Sequence, residues 1–457
     1  MRKCDVAIIG AGPAGIFAAL ELAKVPGLRV AIYEKGPDID ERARRKSLLC
    51  GWGGAGAYSD GKLTLSPDVG GQLAQFVPDR TLERLIDYVD RVYIEFGAPE
   101  RVYGLGHDDV EDISHRAALA GLKLIPSAIR HMGTERCPEI VRGMRDSLRD
   151  SLDIRTDTEV VELLVEDANV TGIRTAAGEE VAADYVIAAP GREGADWLTG
   201  EVHRLGLKTM NNPVDVGVRV EVAAPVLEEI TGTVYEPKLV YYTKGFDDKI
   251  RSFCVCPYGE VVLEQSDDVM TVNGHSYAGK KTGNTNFALL VSTSFTEPFR
   301  EPITYGKYLA RLANLIGGGV IVQRLGDLQA GRRSTWDRIE RNLVSPTLTT
   351  ATPGDLSFVL PYRYLSAILE MLAAMDHLAP GIGSRHTLLY GVEVKFYSSR
   401  VELSPCLETK VANLFTIGDG AGVTRGLVQA SASGVIAARE IASRMGKRVA
   451  AEEVWGE

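Results

Sequence analysis

Gly10, Gly12 and Gly15 form a Gly-x-Gly-x-x-Gly set directly behind the apolar residues 6–9, and a carboxylate, Glu34, stands 24 positions beyond Gly10. Those types at that spacing suit the holding of a pyrophosphate. Gly10 allows a tight turn, Gly12 lets the main chain approach the phosphates, and Gly15 lets the following helix lie close on its strand. The free amides at the helix start then face the negative charge. Glu34, ending a second strand, can accept hydrogen bonds from adenosine ribose hydroxyls and disfavours a 2′-phosphate. By themselves these residues do not distinguish NAD from FAD.

The distinction comes from the other end of the chain. Residues 413–422, Asn-Leu-Phe-Thr-Ile-Gly-Asp-Gly-Ala-Gly, resemble the C-terminal flavin motif of the glutathione-reductase-like FAD superfamily. That resemblance implies that Asp419, beside Gly418, binds the ribitol chain. It also implies that a helix starting at Gly426, Leu427 and Val428 aims its first amides at flavin N1 and the C2 carbonyl. A positive helix end there would stabilise an anionic reduced flavin. A third segment, residues 50–63, carries five glycines between Gly51 and Gly61. Small residues let the main chain lie against a flat ring or a phosphate. Here Gly53, Gly54 and Ala55 would offer main chain, Trp52 a ring for stacking, Ser59 a hydroxyl and Lys62 a cation. A surface loop is the plainer alternative. With Pro13, Ala14, Lys35, Val160 and Gly191, these residues complete the candidate set for a non-covalently bound FAD.

Proton and electron transfer need further groups. His275 and His131 can exchange a proton with a substrate while hydride moves to or from flavin N5, or can serve only as hydrogen-bonding residues. Cys254 and Cys256 form a Cys-x-Cys pair that can relay electrons as a dithiol, or can simply be small residues lining the site. On a regular strand, residues two apart share a face but need not reach disulfide geometry. Tyr258 and Lys62 are weaker candidates. No histidine and carboxylate cluster has metal-ligand spacing. The triplet Gly317, Gly318 and Gly319 precedes an apolar run instead of joining strand to helix, so a second dinucleotide fold is not expected. Electrons would then be exchanged with a transiently docked nicotinamide, a protein carrier, a quinone, oxygen or the substrate itself.

Several separated motifs resemble the uncharacterised FAD-dependent dehydrogenases. They are residues 51–63, 129–134 (Ile-Arg-His-Met-Gly-Thr), 253–262 (Phe-Cys-Val-Cys-Pro-Tyr-Gly-Glu-Val-Val), 273–276 (Asn-Gly-His-Ser) and 418–422 with 425–427 (Arg-Gly-Leu). The likeness implies a bound FAD and an interrupted FAD domain. Tyr258 and His275 depart from it, standing where that family carries Gly and Met.

The elements that must position these groups are legible in outline. Residues 6–9, 14–24 and 29–34 read as strand, helix and strand of a parallel βαβ unit. Residues 81–96, with Leu82, Leu85, Ile86 and Val89 at helical spacing, and residues 139–148 read as helices. From 154 to 188 short β-rich runs, broken at 167–169 and 177–178, predict an antiparallel meander, followed by a helix over 192–205. Strand-like stretches at 214–222 and 287–293 mark a different texture, and a last strand at 414–417 leads to a helix from about Gly426. The predicted fold is α/β: a Rossmann-type FAD-binding domain with a β-meander, interrupted by a second, α+β substrate domain. The FAD domain comprises residues 1–209, with a helical insertion at about 80–150, and 387–457; the substrate domain is 210–386.

Composition limits the function. Hydrophobic residues make up 45% of the 457 and charged residues 25%, the balance of a globular protein, and the formal charge is −10. Such a charge disfavours nucleic acid as a partner, and with it a flavin-dependent RNA-modifying enzyme. Glycines interrupt the apolar N-terminal run, and no run of about 18 apolar residues predicts a membrane span. Six cysteines without framework spacing suit a reducing, cytoplasmic setting. The expected function is an FAD-dependent oxidoreductase, a dehydrogenase or reductase, moving hydride or electrons between flavin and a small organic substrate. That substrate would be held between FAD and the 210–386 domain. The alternatives are a flavin-fold binding or escort protein without redox turnover, and a reductase of isoprenoid lipids.

Overall fold

From Val6 to Ile9 both faces of the first strand, β1 (Arg2–Ile9), are apolar, and both are covered. Val6 and Ile8 enter a cluster with the first helix, α1 (Pro13–Ala23), while Ala7 and Ile9 enter a second cluster on the opposite side. A strand buried twice reads as a continuous apolar run, which is how residues 6–9 read. The computed structural model describes residues 2–447, except 46, 48, 60, 105, 211–212, 267–268, 278–279, 294, 296–300 and 396–399. The chain forms two units, one of residues 1–101, 130–212 and 398–457, the other of 102–129 and 213–397.

In the first unit, β2 (Val30–Tyr33) runs parallel to β1, completing the βαβ unit. Helix α2 (Ile39–Arg45) follows, then α3 (Asp79–Glu95), which buries Leu82, Leu85, Ile86, Val89 and Val92 on one face. At roughly 1.5–3 kcal/mol for each large side chain, that face is enough to anchor the helix on the core. Helix α4 (Cys137–Leu148) adds Ile140, Val141, Met144 and Leu148 to the same cluster. The next strand, β3 (Asp153–Arg155), pairs parallel with β2 and so lies in the parallel sheet rather than in the meander expected from residue 154. The amides of Asp157 and Thr158, bonded to the carbonyls of Gly36 and Glu34, hold the chain there before it turns away. The meander proper is β4 (Val160–Glu166), β5 (Asn169–Thr175) and β6 (Glu180–Ala188), and β6 returns parallel to β1. Helix α5 (Ala195–Arg204) ends this stretch.

The second unit is built on β7 (Val214–Ala223), β8 (Lys249–Cys256), β9 (Glu260–Ser266), β10 (Val269–His275) and β11 (Asn284–Thr293), with helices α6 (Pro302–Gly317) and α7 (Tyr362–Leu378) and the strand β12 (Leu388–Lys395). Its eight-stranded sheet runs in the order Thr352–Pro353, Ile321–Arg324, β12, β7, β11, β8, Lys238–Tyr242, Lys123–Ile125. β9 and β10 form a separate hairpin. Two differences from the expected boundaries follow from pairing. Strand Lys123–Ile125 pairs with Lys238–Tyr242, so residues 102–129 leave the predicted helical insertion for this unit. β12 lies beside β7 in the middle of the sheet, so the unit continues past 386. One face of β7, Val214, Val216, Val218, Val220 and Val222, meets α7 in the unit's main core. The opposite face, with Asp215, Arg219 and Glu221, is equally buried.

The chain then returns to the first unit. β13 (Leu414–Thr416) lies parallel to β6, pairing Ile187 with Phe415, and α8 (Leu427–Arg444) packs along α1. The result is an α/β Rossmann-type unit with a meander, interrupted by an α+β unit. Among the described residues, no helix is long and apolar enough to cross a membrane.

Candidate functional site

Three segments distant in sequence meet at the start of α1. The Gly53 amide donates to the Ala11 carbonyl at 2.7 Å. A Cβ on Gly54 would stand 3.0 Å from the Gly12 Cα, one on Gly56 2.9 Å from a Leu427 methyl, and one on Gly418 3.0 Å from the Ala14 Cβ. The fingerprint, the glycine-rich segment and the C-terminal motif are therefore in contact. Two of the fingerprint glycines are demanded by the protein itself. Gly10 has φ +98°, and a Cβ there would lie 2.2 Å from the Ala189 carbonyl oxygen; one on Gly15 would lie 2.0 Å from the Gly10 oxygen. Gly12 differs, with φ −79° and nothing within 4 Å of its Cβ position. It borders open space at a helix start that no side chain caps, and the start of α8 at Gly426 is likewise without a capping side chain. Backbone amides with room before them fit a dinucleotide pyrophosphate.

Glu34 is nearly buried and organises the loops around this space. Its Oε2 accepts the Ala11 amide at 2.9 Å, and its Oε1 accepts the amides of Gly36 and Gly51, both at 2.9 Å. The Cys50 thiol also points at Oε1. Burial, and then the Glu34 charge, push that thiol up to about 11, so it stays protonated. A carboxylate oxygen accepts two hydrogen bonds, which leaves Oε2 capacity for one more donor. Lys35 is exposed and lies 3.7 Å from Glu193.

Arg42, which is not among the residues expected at the site, is fully buried behind the glycine-rich segment. Its guanidinium donates to the carbonyls of Trp52 at 2.7 Å and Gly54 at 2.8 Å, its Nε donates to that of Ser47 at 3.0 Å, and it lies over the Tyr58 ring. A basic residue just ahead of a run of glycines was the available signal. Trp52 requires a correction. Its side chain is 0% exposed, and its indole donates to the Val141 carbonyl at 2.8 Å. It supports the segment from the core and offers no face for stacking. Ser59 closes a local turn, donating to the Gly56 carbonyl and accepting from the Gly61 amide. Lys62 is buried in the same unit.

At the other end of the space, Asp419 keeps 24% of its side chain exposed, accepts from Thr424 Oγ1 at 2.7 Å and lies 3.8 Å from Arg192. Loss of solvation raises its carboxyl above the ordinary value, against the pull of Arg192 and the Thr424 bond. Ser433 on α8 holds the Gly418 amide. Gly191 sits against this turn, its carbonyl 2.5 Å from the Cβ position of Gly420. Val428 is buried at the first turn of α8, and Val160 is buried at the start of β4.

The four candidates for chemistry are divided. His131 ends strand Ile129–His131 in the first unit, next to Met132, whose amide donates to Gly61. His275, Cys254 and Cys256 lie in the second unit, His275 beside the Tyr277 ring and the two cysteines at the end of β8.

The chain is 26% identical to an uncharacterized protein of Clostridium beijerinckii, in an alignment covering 96% of this chain and 81% of that one. Among solved structures it is similar to GidA of Aquifex aeolicus, with a TM-score of 0.43 and 16% identity over 98% of this chain, and it spans 64% of that protein's length. It is also similar to glycine oxidase of Bacillus cereus, with a TM-score of 0.39, 16% identity and coverage of 96% and 95% of the two chains. For L-proline dehydrogenase of P. horikoshii the TM-score is 0.43, the identity 14% and the coverage 99% and 96%. Residues 213–396 match the family model described as FAD-dependent protein, C-terminal domain-like. Residues 5–263, more than half of the chain, match that of FAD dependent oxidoreductases, so the chain belongs to the FAD-dependent oxidoreductase family and FAD is its cofactor.

Proposed function

We propose that the space at the start of α1 is the FAD site, that the cofactor is held there non-covalently, and that the enzyme moves hydride or electrons between flavin and a small organic molecule. The observation that carries the proposal is the open position at Gly12, before an uncapped helix start, where the two neighbouring glycines are closed in by backbone. Residues 10–15 would hold the pyrophosphate and the remaining lone pair of Glu34 Oε2 the adenosine ribose. Main chain at 53–55 would lie along the phosphates, with the Arg42 charge behind it adding to the positive potential of the α1 start. Asp419 would hold the ribitol, and the first amides of α8 would face the pyrimidine edge of the ring. Bound FAD supplies hydride-transfer chemistry that no side chain provides. Of the two histidines, His131 shares the unit of this cradle and is the one we assign to holding a proton for the substrate.

The test is the purified protein itself. We expect a flavin absorption spectrum that bleaches with dithionite, and release of all the flavin into the supernatant when the protein is denatured. Colourless protein that FAD does not reconstitute would remove the site assignment, and flavin left on the precipitated chain would remove the non-covalent one. His131→Gln should keep its flavin and lose turnover; equal turnover would clear His131 of a role.

A further inference from the structure

Strand β8 does not end as a regular strand. Phe253 pairs with Ala288 of β11 and Cys256 with Asn286, so β8 advances three residues where β11 advances two. The extra residue is a β-bulge, and Cys254 sits in it with φ +46°, a left-handed conformation that costs a residue with a Cβ. The conformation is held from outside: the Cys254 amide donates to the buried Glu236 carboxylate at 3.0 Å. Its consequence is to bring the two sulfurs together. Cys254 Sγ and Cys256 Sγ are 3.8 Å apart, a proximity that sharing one face of a regular strand does not by itself provide.

The surroundings suit thiol chemistry. Arg219 on β7 is fully buried, and its Nη2 donates both to the Cys254 carbonyl at 2.7 Å and towards Cys256 Sγ at 3.3 Å. Its Nε donates to Asn286 at 2.8 Å, and its other amino group faces Glu393. A guanidinium so placed stabilises negative charge as it develops on sulfur. Cys256 is fully buried, whereas Cys254 is partly exposed, so one sulfur can meet an outside reagent and the other can only meet its neighbour.

We propose that Cys254 and Cys256 are a redox-active dithiol that closes to an intrachain disulfide in exchange with a low-molecular-weight disulfide, forming a second two-electron couple besides the flavin. The Cys254 thiolate attacks the external disulfide, forming a mixed disulfide and releasing one small thiolate. The Cys256 thiolate then attacks the Cys254 sulfur, forming the intrachain bond and releasing the second. The protein loses two electrons and two protons, and the external disulfide becomes two thiols. This inference requires no contact between the thiols and the flavin.

The test uses the full-length protein with its flavin, equilibrated in glutathione buffers from fully reduced to fully oxidised. We expect two of the six thiols to be lost on oxidation and regained with dithiothreitol. Mass spectrometry should locate the loss, of two hydrogens, in the tryptic peptide 252–280. In Cys256→Ser the exchange should stop halfway, leaving glutathione on Cys254. The proposal is overturned if the wild-type peptide stays reduced in glutathione disulfide, if the lost thiols map to other cysteines, or if folded Cys256→Ser carries no adduct on Cys254.

Discussion

Gly12 and Arg42 divide the work of one cradle, and their substitutions should be distinguishable. At Gly12 the backbone conformation suits any residue and no protein atom lies near the Cβ position. Gly12→Val should therefore fold normally and purify without flavin, because the side chain fills the space meant for phosphate. A folded variant with full flavin absorbance would refute the site. Arg42 acts at one remove, by holding the carbonyls of Ser47, Trp52 and Gly54. A hydrogen bond to a charged group contributes about 1.5–3 kcal/mol, and about 1.4 kcal/mol is tenfold in affinity. Arg42→Met should weaken FAD binding at least about tenfold, read by titrating apoprotein with FAD, and Arg42→Lys should recover part of it. An unchanged dissociation constant would make Arg42 a stabiliser of the fold alone.

At the scale of elements, the site depends on how closely α8 lies on α1. A Cβ on Gly434 would stand 2.1 Å from the Ala14 carbonyl oxygen and 2.9 Å from the Ala18 amide. No side chain can be accommodated there without moving one helix. Gly434→Ala should cost about 1–3 kcal/mol in denaturant unfolding and lower flavin occupancy as well, because the helix displaced is the one whose start forms the cradle. Loss of stability with full occupancy would show that the shift is absorbed away from the cradle. Gly434 is invisible in sequence, where it reads as a weak point in a helix; its meaning lies in a partner more than 400 residues away. The strands and helices that carry the fingerprint and Asp419 were legible because that geometry is local: strand, turn and helix start are fixed by neighbouring residues. Trp52 was misread for the opposite reason. A tryptophan among glycines suggests a stacking surface, but α4 supplies the carbonyl that takes its indole into the core.

At the scale of the whole molecule, the alternation of Val214–Ala223 marks a strand, but such alternation ordinarily marks one wet face. Here Asp215, Arg219 and Glu221 are at most 1% exposed, because partners far along the chain meet them: Arg251, Glu393 and Tyr390. Placing ionisable groups inside makes stability depend on pH in two opposing senses. Burial raises the Glu221 carboxyl above its ordinary 4.5, outweighing its bonds from Thr347, Tyr390 and Asn284. Its contribution is thus fully present below that value and lost as pH rises through the raised one. Asp327 goes the other way: burial pushes it up, but Arg324, Ser334 and Arg332 together hold it below its ordinary 3.8. Glu21, with Arg439 and Lys24 overcoming burial, and Glu408, held first by Arg444, are likewise below 4.5. Their contributions are present above the ordinary values and lost as pH falls through the lowered ones. Melting temperature should therefore peak in mildly acidic solution, measured between about pH 3 and pH 8. Glu221→Gln should flatten the alkaline side of that peak, and Asp327→Asn should lower the peak and flatten its acid side. If Glu221→Gln left the alkaline slope intact, another group would have to carry it, and the buried polar face of β7 would not be the source of the pH dependence.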